Sequence, residues 1–251
     1  MFLKTLNIFV GVNLMFTSFV IWAEEIKATP WVKLKIGTEQ SSKICKVLNA
    51  NQRIDCSNDI SIWKIKSSTD NKLYLTDSTP QLFEIEKTNQ TYKIINHWDF
   101  KNYQHHSTNS SDGELGDYGT EIFPAFYPLN QQQHAIALVR HWGTGYSGGG
   151  RGEQVADFIM LKPQGKFKVA LTSIPFYSYK MIRACFSERD YKTSPHCHDE
   201  SGSTLSIQFR DVGKAFYQWT LNYTDFTWDA GKSEKSKKIE KYSEVVMPSV
   251  R

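Results

Sequence analysis

No run of about twenty consecutive apolar residues occurs in this 251-residue chain, the length a membrane-spanning helix requires. The most apolar stretch, residues 1–23, is broken by Asn7, Asn13, Thr17 and Ser18. Its pattern instead predicts a signal peptide: Lys4 supplies a positive start, residues 6–21 are mostly apolar, and Ala23 is a fitting last residue before cleavage. Strong charge of one sign is also missing. The formal net charge is +4, and it falls by one if Lys4 leaves with the signal. Nucleic-acid binding, which needs a clustered basic face, is therefore not expected. Five lysines fall within residues 232–241, but Glu234 and Glu240 interrupt them. That run reads as a solvated hairpin tip.

Cysteine is scarce, with four in the chain: Cys45, Cys56, Cys185 and Cys197. None has the C-x-x-C spacing of a redox or zinc motif, so redox and zinc-knuckle chemistry are not indicated. An even count in an exported chain points to disulfides. Cys45–Cys56 and Cys185–Cys197 are the preferred pairs, since each would close a short polar loop. Helical periodicity is missing too. What fills the chain after residue 23 is short alternating strands separated by turn residues.

Residues 31–36 place Val32, Leu34 and Ile36 on one face with Lys33 and Lys35 on the other. Residues 44–48, 60–65, 72–76, 81–86 and 91–98 continue the pattern. Further strands are expected at 135–142, 154–161, 166–174, 180–186, 204–210, 217–224 and 242–247. This predicts an all-β, antiparallel fold, a sandwich or a partly closed barrel with disulfide-stapled loops. The polar segment 100–120 divides the secreted domain, residues 24–251, into possible lobes at 24–104 and 121–251. Residues 121–129 carry Pro124 and Pro128, which predicts an edge strand or a packed connection rather than a central strand.

Between the strands at 135–142 and 154–161 lie six glycines, with Tyr146 and Arg151 as the large side chains. A loop so rich in glycine turns tightly or lets another molecule approach its main chain. Tyr146, Ser147, Arg151 and the preceding Trp142 are therefore the candidate binding residues, since tyrosine and arginine are favoured interface anchors. The string Gly145-Tyr146-Ser147-Gly148-Gly149 matches G-x-S-x-G, but a nucleophile elbow needs a helix after the serine and none is expected. In extended backbone, His196, His198 and Glu200 would share one face, with Cys197 on the other. Two imidazoles and a carboxylate form a workable set for a divalent transition metal.

The expected function is that of an exported, periplasmic, non-catalytic binding protein that needs no cofactor. Its partner would be another envelope or secreted protein, in an inhibitor or immunity-type role, or a cell-wall component. The alternative is a metal-assisted secreted hydrolase using His196, His198 and Glu200.

Overall fold

The computed structural model describes residues 25–35, 37–50, 60–66, 71–89, 91–106 and 114–249. The expected signal peptide, residues 1–23, and Cys56 lie outside the described residues. Strands dominate: β1 (Thr29–Lys33), β2 (Ser61–Ile65), β3 (Lys72–Thr76), β4 (Gln81–Thr88), β5 (Thr91–Asp99), β6 (Gly116–Pro128), β7 (His134–Tyr146), β8 (Gly149–Leu161), β9 (Phe167–Arg183), β10 (His198–Arg210), β11 (Gln218–Trp228) and β12 (Lys238–Val246). All pair antiparallel in one 12-stranded sheet of order β12-β11-β10-β9-β8-β7-β6-β1-β2-β3-β4-β5, which is not closed into a barrel. The all-β antiparallel fold expected from the alternation is therefore present. Among the described residues, no helix is long and apolar enough to cross a membrane.

Side-chain alternation explains how the sheet folds over itself. On β7, Ala135, Ala137 and Val139 join one buried cluster with Phe158 of β8 and Trp219, Leu221 and Tyr223 of β11. Ile136 and Leu138, on the other face, join a second cluster with Trp31, Tyr74, Leu82, Trp98 and Phe100. The β1–β5 portion thus packs through its side chains on one face of β7–β8. The β9–β11 portion curls over the other. The curl is tied at its end: the Tyr217 amide donates to the Leu129 carbonyl at 2.7 Å, and the Trp219 indole to the Pro128 carbonyl at 3.1 Å. Both faces of β7 are buried, as its near-continuous apolar run requires.

Among the described residues, two α-helices depart from the expected all-strand pattern. Residues 44–48 lie not in a strand but in α1 (Thr38–Ala50). Ile44, Val47 and Leu48 fall three and four positions apart, so all three meet the outer face of the β2–β5 sheet, while Glu39 pairs with Lys43 across one helical turn. The short α2 (Glu188–Thr193) opens with a reciprocal cap between Ser187 and Asp190. Cys185 bonds Cys197 across this α2 segment as expected, and Cys45 is also disulfide-bonded.

Strand β6 corrects another expectation. It is neither an edge strand nor a connection, because it lies between β1 and β7. Pro124 is accommodated because the β6–β7 register shifts between Phe123 and Tyr127, so no ladder bond is demanded of it.

Candidate functional site

The glycine-rich segment is a strand pair, not a loop. β7 and β8 stay in register to the tip, pairing Gly143 with Gly152, Gly145 with Gly150 and Tyr146 with Gly149. Only Ser147 and Gly148 remain as the turn, and Gly148 has a φ of +90°, the region where glycine is at ease. Two of the glycines make room for aromatic rings. A Cβ on Gly143 would lie 2.7 Å from the Tyr118 ring, and one on Gly149 would lie 2.7 Å from the Tyr146 ring. Tyr146 also donates its hydroxyl to the Met181 carbonyl at 3.2 Å. Ser147 is followed by β8 rather than a helix, so the context of a nucleophile elbow is not met. Trp142 is buried, with the Arg140 guanidinium 5.1 Å from its ring. Trp142, Tyr146 and Arg151 share one face of the sheet by register, and of the three Arg151 enters a groove.

That groove is the candidate site. It is an open trough of about 640 Å³ crossing β8 to β12. Antiparallel pairing sets its lining in two lateral rows. The first runs Arg151, Lys180, Ser201, Thr227, Lys238, and the second Glu153, Ser178, Ser203, Asp225, Glu240. The rows lie two residues apart on every strand, so all ten side chains point to the same face. Arg151 donates to Glu153 along its own strand at 3.1 Å. Among the described residues, no ion pair reaches Lys180, Asp225 or Glu240. One carboxylate oxygen of Asp225 is buried and, among the described residues, has no hydrogen-bond partner. Opposite charges, hydroxyls and an open mouth suit recognition of a polar partner by hydrogen bonds and charge.

The three residues expected to hold a metal meet only in part. The His196 ring stacks on Trp228 with centroids 3.5 Å apart, and its Nε2 lies 3.7 Å from a Glu200 oxygen. His198 opens β10, and its ring centroid is 6.1 Å from that of His196. Among the described residues, no group of three or more His, Cys, Asp or Glu side chains is placed to hold a metal ion. A histidine and a carboxylate are fewer than the three protein ligands a catalytic zinc site uses.

A second polar cluster was not singled out from the sequence. Asp157 is fully buried in β8. Its carboxylate accepts from the Tyr103 hydroxyl at 2.9 Å, the His106 amide at 3.2 Å and the Ser173 amide at 2.7 Å. His105 lies between this carboxylate and Thr120, with Nδ1 at 3.3 Å from Asp157 and Nε2 at 2.9 Å from the Thr120 hydroxyl. Burial alone would raise the Asp157 carboxyl. The His105 ring, the two amides and the Tyr103 hydroxyl outweigh it and hold the group down to about 2. The cluster pins residues 103–106, expected as open loop, onto the sheet. A lone acid inside the apolar run 155–161 was the available signal for it.

Comparison with protein-family models, with curated proteins and with solved structures gives no match for this chain, so a functional reading rests on the trough and its chemistry.

Proposed function

We propose that this chain is an exported, non-catalytic binding protein whose partner docks in the trough across β8–β12. One observation carries the reading: three cationic, three anionic and four hydroxyl side chains converge on one open groove, held on a rigid antiparallel sheet. Charged groups arranged this way give specificity and speed of encounter rather than bulk adhesion. The Cys185–Cys197 disulfide and the signal-like residues 1–23 support residence in an oxidising compartment, such as the periplasm. The partner is another envelope or secreted protein, or a cell-wall component.

Affinity capture from an envelope extract tests this, comparing the oxidised protein with an Arg151→Ala, Lys180→Ala double variant. The expected result is a partner retained by the first and lost by the second, with both proteins melting at the same temperature. Equal retention by both would move the binding surface elsewhere. Export is checked by fractionation and sequencing of the amino terminus. A cytoplasmic protein still carrying Met1 would sink that half of the reading.

A further inference from the structure

The charges in the trough are not scattered. Register sets Arg151 directly opposite Lys180, and Asp225 directly opposite Glu240. Like charges facing one another across a ladder destabilise a sheet, and here two such pairs, of opposite sign, sit at the two ends of one groove. Local compensation leaves one charge at each end. On β8–β9, Glu153 pairs with Arg151; on β11–β12, Lys238 brings the formal sum to one negative charge without an ion pair among the described residues. Between the poles, β10 and its neighbours offer Ser178, Ser201, Ser203 and Thr227. The unpartnered Asp225 oxygen lies at the anionic pole.

Deepening the binding reading above, on which it rests, we propose that the trough takes a short extended peptide with both termini free. The carboxylate lies at the Arg151–Lys180 pole and the ammonium at the Asp225–Glu240 pole. Size and charge both argue for this ligand. Strands lie about 4.8 Å apart and the poles are also offset by two residues along the strands, so three intervals and that offset put them roughly 16 Å apart. An extended peptide advances about 3.4 Å per residue, so roughly four to five residues span that distance. Polyanions and polycations are disfavoured, because each meets a pole of its own sign. The hydroxyls of the floor can both donate to and accept from the peptide amides between the ends.

Calorimetric titration of the oxidised protein with tetra-alanine tests the assignment. Three ligands are compared: free termini, acetylated amino terminus and amidated carboxyl terminus. The free peptide binds saturably at one site, and either cap weakens it at least tenfold. Lys180→Ser removes the discrimination against the amidated peptide but keeps that against the acetylated one. Asp225→Asn does the reverse. Lys241→Ser, one residue from Glu240 and on the opposite face of β12, behaves as wild type. These trough positions are intermediate or exposed, so the variants keep the wild-type melting temperature. Absence of saturable binding, or equal affinity for capped and free peptides, overturns the assignment. If capture of a partner nonetheless depends on Arg151 and Lys180, the peptide inference falls while the binding reading stands. If capture fails and tetra-alanine binds as described, the trough is a peptide site with no macromolecular partner in that extract.

Discussion

Gly149 and Gly145 sit four residues apart on facing strands of the same hairpin, yet their surroundings differ sharply. A Cβ on Gly149 would lie 2.2 Å from the Met181 carbonyl oxygen, a backbone atom that cannot swing away, whereas one on Gly145 meets nothing within 4 Å. Gly149→Ala is therefore expected to cost about 1–3 kcal/mol, the range for overpacking, and Gly145→Ala to change stability by less than about 0.5 kcal/mol. Urea midpoints measure both. Equal effects would mean that the glycines serve turn flexibility rather than close packing. Asp157 gives a pH-dependent counterpart. Its folded carboxyl is depressed to about 2, against about 3.9 in an unfolded chain. The stability it contributes is fully present above about pH 4 and is lost as pH falls through about 2. The shift corresponds to about 2–3 kcal/mol. Asp157→Asn should flatten the stability profile between pH 4 and 2; an unchanged slope would show that other carboxylates set it. Arg151 was legible in the sequence as a candidate because a large cation stood out among glycines. Lys180, Asp225 and Glu240 were not. Each looks like an ordinary solvent-facing residue of an alternating strand, and only the register shows which charges face one another.

Elements were legible where one periodicity ruled. The alternation in residues 72–76, 81–86, 135–142 and 217–224 reads directly as β3, β4, β7 and β11. It failed at α1, where the apolar spacing in Ile44, Val47 and Leu48 fits a helix, but the cluster is too short to declare its period. It fails again where glycine and proline, the usual strand breakers, stay inside strands. Glycines continue β7 and β8, with rings against Gly143 and Gly149, and Pro124 stays within β6 because the register shifts around it. The link between β9 and β10 relies on covalent support. It carries α2, which buries no residue, and closes on Cys185–Cys197 with a sequence separation of 12. A Cys185→Ser, Cys197→Ser variant should lose about 2–3 kcal/mol of stability, since the bond chiefly restricts the unfolded chain. Chemical denaturation of the variant, without reductant so that the bond at Cys45 persists, measures this. A loss below 0.5 kcal/mol would mean that the β9–β10 ladder from Arg183–His198 to Tyr177–Thr204 holds the link unaided.

At the scale of the molecule, the described residues form a meander whose one long-range junction is the pairing of β1 with β6. That junction is thin: two residue pairs, Thr29 with Phe126 and Pro30 with Ala125. A ladder so short would leave the β1–β5 and β6–β12 portions as nearly independent lobes, as the polar segment at 100–120 suggests. Side-chain packing argues otherwise. Trp31, Tyr74, Leu82 and Trp98 from the first portion share one buried cluster with Ile136, Leu138 and Ile159 from the second. The Trp98 indole also donates to the Lys162 and Lys166 carbonyls of the β8–β9 turn, at 2.8 and 3.1 Å. Residues 103–106, which lead out of the first portion, are held by the buried Asp157 of the second. The two portions are thus expected to unfold as one unit. Leu138 tests this because it is fully buried at the shared cluster and far in sequence from β3 and β4. Leu138→Ala should cost about 2–5 kcal/mol through the cavity it leaves. Native-state hydrogen exchange should then show equal losses of protection in β3–β4 and in β10–β11, because global opening exposes both. Loss confined to one portion would instead reveal two lobes with separate stabilities. The trough, built wholly on β8–β12, would then fold without the first five strands.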